Sequence, residues 1–209
     1  MSLTLVTAPP TWDLLADAKR QLRIDTSDED VLLTALIAAA VEHLDGRDGI
    51  LGRALLTQTW DLKVDAFPSA TPQNPYAAID IPLPPLQSVD GVTYVDASGN
   101  VQTVSTAAYT VDLGGKWPGK VTPALGSAWP PTAAIPDAVT IRFTAGYAAS
   151  AGSPSDDGGG VPAGIKHAVM LLVAHWYENR VPVNIGNIVN ALPMTVAALL
   201  APHRVRTFF

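Results

Sequence analysis

The chain has 209 residues, with 13 Lys and Arg against 19 Asp and Glu, for a formal charge of −6 at pH 7 with histidine neutral. It has no cysteine, which excludes disulfide frameworks, thiolate metal sites and cysteine nucleophiles together. Charged residues make up 15% and hydrophobic residues 48%, with mean hydropathy +0.22, yet no apolar run approaches the roughly 18–20 residues that span a bilayer.

The first ten residues have no basic region, since the first Lys or Arg is Lys19, and their apolar stretch is too short for a targeting segment. Residues 11–53 contain no proline and read as helical. A first helix is expected near Thr11, whose hydroxyl can cap the next turn, with Leu14, Leu15, Ala18 and Leu22 at helical spacing. Ser27 with Asp30 three residues on predicts the start of a second helix through a variant capping box. Between residues 31 and 41 only Thr34 is polar, so this helix is apolar on nearly every side and needs more than one neighbour to bury it. Gly46, Gly49 and Gly52 weaken or end it.

Residues 54–147 hold 11 of the 18 prolines and read as strands. Leu56, Gln58, Trp60, Leu62 and Val64 alternate with Thr57, Thr59, Asp61, Lys63 and Asp65, the period of a half-buried strand. Ile79, Ile81 and Leu83 form a shorter alternation that flanking prolines confine to an edge or a strand start. Val92 and Tyr94, then Val101 and Val104, flank a hairpin turn at residues 96–100. Residues 109–112 and 139–143 complete the strands. A Gly, Ser and Asp loop follows, and Pro162 then opens a helix running to about Arg180. A short helix is expected after Pro193, ending at Pro202. The predicted fold is α+β, a small helical bundle from both chain ends with an inserted antiparallel β module. Its parts are residues 1–53, a β module at 54–148, a flexible loop at 149–160, and a helical part with a tail at 161–209.

Catalytic motifs are sparse. Gly159 and Gly164 have phosphate-loop spacing, but Ile165-Lys166-His167 stands where Lys then Ser or Thr is required. His175 and Glu178 begin an inverted zinc motif that lacks its second histidine, and His43, His167 and His203 are not spaced to complete it. There is no G-x-S-x-G elbow. Asp61 with Asp65, or Asp80 with Asp90, could form an acid–base pair, but nothing sets them across a cleft. Of the five tryptophans, Trp60 and Trp176 read as core, whereas Trp117 and Trp129 sit in proline-rich loops suited to stacking on sugar or protein. The acidic balance argues against gripping DNA by phosphate neutralisation, though not against letting DNA slide past.

Several stretches, in order along nearly the whole chain, together resemble the head–tail connector (adaptor) family of tailed bacteriophages and gene transfer agents. They are Val6-Thr7-Ala8-Pro9, Ala18-Lys19, Leu22-Arg23-Ile24-Asp25 and Ser27-Asp28-Glu29-Asp30. Next come Gly52-Arg53-Ala54-Leu55, Thr57-Gln58-Thr59-Trp60 and Ile81-Pro82-Leu83-Pro84-Pro85-Leu86, with Val89 and Tyr94. Phe143-Thr144-Ala145-Gly146-Tyr147, Val161-Pro162, Trp176-Tyr177-Glu178-Asn179-Arg180 and Leu199-Leu200-Ala201-Pro202-His203-Arg204 close the series. One departure stands out: Ile50-Leu51-Gly52-Arg53 occupies the place where family members commonly carry Thr-Gly-Arg.

The resemblance implies a virion protein of the neck, non-enzymatic and without cofactor or metal. It implies a ring, usually twelve-fold, that binds the portal on one side and a stopper or tail-completion protein on the other. DNA would pass through the ring without specific binding. Apolar helices then suit subunit contacts, with Leu32, Leu36, Ile37, Leu171 and Leu172 as interface candidates. The segment after Pro202 is expected to leave the bundle extended and dock on the portal through Arg204, Arg206, Phe208 and Phe209. The alternative is a phage-encoded module that binds carbohydrate or a receptor through its sheet and loop tryptophans.

Overall fold

A computed structural model describes residues 1–115, 117–148, 160–180 and 194–205. The class is α+β, and the chain divides into two compact units, Met1–Pro10 with Leu56–Tyr147, and Thr11–Leu55 with Ala148–Phe209.

Among the described residues the first unit contains eight strands: β1 (Ser2–Thr7), β2 (Gln58–Val64), β3 (Ile79–Ile81), β4 (Leu86–Val95), β5 (Val101–Thr103), β6 (Tyr109–Asp112), β7 (Gly119–Pro123) and β8 (Val139–Ala145). They form a five-stranded antiparallel sheet in the order β1-β2-β8-β4-β5 and a three-stranded sheet in the order β3-β7-β6. Strand β8 is central because its Val139, Ile141, Phe143 and Ala145 are wholly buried along one face. Register against β2 sets Trp60 opposite Phe143 and Leu62 opposite Ile141, so the alternation read in residues 56–64 becomes one apolar face and one polar face. The proline-flanked β3 lies at a sheet edge, as its sequence predicts. Gly119 in β7 allows a close approach, since a Cβ there would meet Leu86 Cδ2 at 2.3 Å.

Strand β1 is a departure. Residues 1–53 read as part of the helical half, yet Ser2–Thr7 pairs with β2, with Leu3 opposite Leu62 and Leu5 opposite Trp60. A six-residue edge strand with four exposed positions has little burial pattern to reveal it.

The second unit contains α1 (Leu15–Leu22), α2 (Asp30–Leu44), α3 (Ala163–Glu178) and α4 (Met194–Leu200). Helix α3 packs against the other three, and α1 also packs on α2. The core is Trp12, Leu14, Leu33, Ile37, Leu44, Leu51, Leu55, Ile165, Val169, Leu172, Val196 and Leu200. Both predicted helix starts shift. Helix α1 begins at Leu15, whose amide donates to Asp13 Oδ1 at 3.3 Å, because Trp12 and Leu14 are buried in the lead-in rather than wound into the helix. Helix α2 begins at Asp30 rather than Ser27, and the Asp30 carboxylate takes Lys19 Nζ at 2.7 Å instead of closing a capping box. The predicted end of the last helix is close: α4 stops at Leu200 and one 3-10 turn, Ala201–His203, carries the chain through Pro202.

Candidate functional site

The helical unit carries the candidate interaction surface. Helix α2 buries Leu33, Ile37, Ala40 and Leu44, one stripe at spacings of three and four residues. Ile37 and Leu172 are 5% and 2% exposed, so these two interface candidates are core residues of a single subunit. Leu32, Leu36 and Leu171 are half-buried. The side of α2 left uncovered holds Val31, Ala35 and Ala38, with Val31 at 85% exposure. The phase of an all-apolar helix is not readable from its sequence, which is why the candidates fell on both sides.

Ion pairs tie the N-terminal helices to α3. Asp17 accepts from Lys166 Nζ at 2.6 Å and from Arg20, and the bond from Lys166 leads in holding its carboxyl below the usual range. At the far end of α3, Tyr177 O–H donates to Glu29, and Arg180 Nη2 donates to Glu29 Oε1 at 2.6 Å. The Arg180 guanidinium lies 4.7 Å from the centre of the Tyr177 ring. The hydroxyl of Tyr177, then Arg180, holds the Glu29 carboxyl low, and the same bond pushes the Tyr177 phenol up. A carboxyl lowered on folding stabilises above its unfolded pKa and loses that effect on acidification. The melting temperature is therefore expected to fall as pH drops below the ordinary Glu value of 4.5. Glu29→Gln should melt lower at pH 7 and show a shallower fall between pH 5 and about 3, read by differential scanning calorimetry. Parallel curves for the two proteins would contradict this assignment.

Residues 203–205 are held by hydrogen bonds to the turn after α2. Arg53 is 4% exposed, and its Nε donates to the His203 carbonyl at 2.6 Å. Val205 N–H donates to the Leu51 carbonyl at 2.9 Å, and Gly46 N–H to the Arg53 carbonyl at 2.8 Å. The expected departure of the chain just after Pro202 is thus corrected: residues 203–205 are strapped to the turn that follows α2, leaving Arg204 exposed. Arg206, Phe208 and Phe209 lie outside the described residues. The strap gives a structural reason for the Gly52-Arg53 pair, which sequence reasoning used only as a resemblance.

The remaining motifs resolve into local bonds. Gly164 lies in α3, where a Cβ would stand 3.3 Å from His203 Nε2, so this glycine serves packing, while Gly159 lies outside the described residues. The His175 ring meets the Asn179 amide at 3.3 Å, and among the described residues no three His, Cys, Asp or Glu side chains converge on a metal position. Asp61 accepts a two-pronged bond from Arg142, both arms 2.8 Å, which depresses its carboxyl. Asp65 accepts from Asp137 N–H at 3.0 Å, and Asp80 pairs with Lys120 at 3.6 Å. Asp90 accepts from Ser88 and Thr144 at 2.7 and 2.9 Å. Trp129 donates to the Ala77 carbonyl at 2.8 Å and stacks on Phe67 at 4.6 Å, so it is a structural residue. Trp117, 58% exposed, is the loop tryptophan that faces solvent.

Residues 13–93 match the family model described as phage gp6-like head-tail connector protein. The matched segment takes in α1, α2, β2, β3 and most of β4. Solved structures extend the likeness over the whole chain. A chain in the virion of a native gene transfer agent particle is 26% identical with TM-score 0.70, covering 100% of this chain and 98% of its own. A chain in the neck of an empty gene transfer agent particle, computed with C6 symmetry, is 25% identical with TM-score 0.72 and the same coverage. A chain in the neck of the native particle, computed with C12 symmetry, has the same fold at TM-score 0.68 and 24% identity, again over 100% of this chain and 98% of its own. No curated protein matches the sequence.

Proposed function

We propose that this protein is a structural head–tail connector in the neck of a tailed phage or phage-like particle. The observation that carries the reading is the likeness over the full chain to a chain of the gene transfer agent neck, at 25% identity and TM-score 0.72. In this reading both chain ends build a helical bundle, and copies form a twelve-membered ring below the portal. The ring extends the DNA channel and presents its other face to a stopper or tail-completion protein. The exposed apolar side of α2 supports a subunit that expects neighbours, since an uncovered apolar face on a sparsely charged chain is costly in a free monomer. The test is sedimentation velocity of the chain with and without portal. A ring-sized or portal-bound species is expected, and a chain that stays monomeric in both cases contradicts the connector reading.

The same reading predicts weak contact with DNA. Each subunit carries −6, so a ring multiplies an acidic charge, and attraction to phosphates would slow passage. Fluorescence anisotropy with a short duplex at moderate salt should show no tight binding. Sub-micromolar affinity with a steep salt dependence would mean a phosphate-gripping surface and would overturn the passive-channel role.

A further inference from the structure

We infer that consecutive copies of this chain join by seating the outer face of α2 from one subunit in the groove between α1 and α3 of the next. This rests on the ring reading above and names the contact through which the ring closes.

At about 3.6 residues per turn, Val31, Ala35, Ala38 and Glu42 fall on one stripe of α2, opposite the buried stripe of Leu33, Ile37, Ala40 and Leu44. All four outer residues are exposed. Two of them end at Cβ, so the face is flat and admits close approach. Its charge is acidic: Glu42 lies at one end and Asp28 is exposed in the turn ahead of the helix. Neither makes an ion pair among the described residues.

The groove has the complementary character. Its volume is about 360 Å³, with Arg20, Lys166 and His167 around it and Met170, 6% exposed, as an apolar floor. Asp17 lies there too and takes both Lys166 and Arg20, but one carboxylate against two cations leaves a positive excess. The Arg20 side chain is 77% exposed, with guanidinium N–H groups left to donate. An apolar stripe with acidic ends therefore matches an apolar floor with basic walls.

The occupant is a second copy for a geometric reason. The buried stripe of α2 already faces its own unit, so its outer stripe points away from the groove of the same subunit. Two different patches on one chain give a head-to-tail contact, which generates a closed ring when its rotation closes.

The test is native mass spectrometry of the full chain, with portal added if assembly requires it. Glu42→Arg, Arg20→Glu, His167→Glu and Ala38→Asp should each keep the wild-type circular dichroism and lower the ring population at least ten-fold. His167→Glu leaves the Asp17 pairs intact, so it guards against a local effect of Arg20→Glu. Mixing Glu42→Arg with Arg20→Glu subunits should restore a ring of wild-type mass, because alternating subunits then meet through unchanged contacts and contacts in which both charges are reversed. A wild-type ring accompanied by single variants that assemble equally well overturns this interface and leaves the connector reading standing. Variants that assemble normally but lose portal binding would assign the face to the portal and also overturn it. A wild-type chain that never assembles overturns the connector reading, and the interface with it.

Discussion

Replacing Arg53 by methionine is expected to destabilise the helical unit by about 2 kcal/mol, the range for a buried hydrogen bond from a charged donor. Arg53 is 4% exposed, and its guanidinium donates to the His203 carbonyl at 2.6 Å, across a sequence separation of 150 residues. Methionine keeps much of the volume but has no donor, so the carbonyl loses a strong partner. At about 2–4 °C per kcal/mol for a chain of this size, the melting temperature should fall by roughly 4–8 °C. The loss should be local first. Val205 N–H, bonded to Leu51 at 2.9 Å, should lose hydrogen-exchange protection before the α2 amides do. Arg53→Lys should rescue only part of this, since an ammonium at the end of a flexible stem does not reproduce Nε of a planar guanidinium. Unchanged melting together with unchanged protection at Val205 would show that the strap does not depend on Arg53.

Legibility in the sequence followed the range of the interaction involved. The β2 and β8 segments were readable because nearly every residue, buried Gln58 apart, follows the two-residue period of a sheet buried on one face, as in Trp60 with Phe143 and Asp61 with Arg142. Helix interiors were readable for the same kind of reason. Helix starts were not, because Asp30 chose Lys19, on another helix, over the local cap that its spacing suggests. Strand β1 was missed because its partner, β2, lies more than fifty residues away and its own residues are mostly exposed. The candidate interface was half legible. An all-apolar helix announces that it needs neighbours, but only the packing of Leu33, Ile37, Ala40 and Leu44 tells which side remains for a partner. Trp129 read as a free loop aromatic, and its bond to Ala77 and stack on Phe67 come from residues 52 and 62 positions away.

Removing residues 206–209 is expected to weaken portal binding at least a hundred-fold while leaving the fold intact. Under the connector reading, the docking element is the segment with Arg206, Phe208 and Phe209, together with the exposed Arg204. Aromatic side chains anchor in partner pockets and arginines pair bidentately with carboxylates, so few residues can carry much of such an affinity. The strap decides where the cut belongs. A deletion that begins at Val205 would also remove the bond to Leu51, mixing loss of structure with loss of docking. A cut after Val205 keeps that bond and the Arg53–His203 bond, so circular dichroism and melting should match the full chain. Affinity for portal, measured by biolayer interferometry, should fall at least a hundred-fold, about 2.7 kcal/mol at 1.36 kcal/mol per factor of ten. Ring formation through the α2 face should persist in the truncated chain, since the cut removes none of the residues named in that contact. Full portal affinity after the cut would move the docking surface off the tail, and Arg204→Glu would then test whether the strapped turn itself makes the contact.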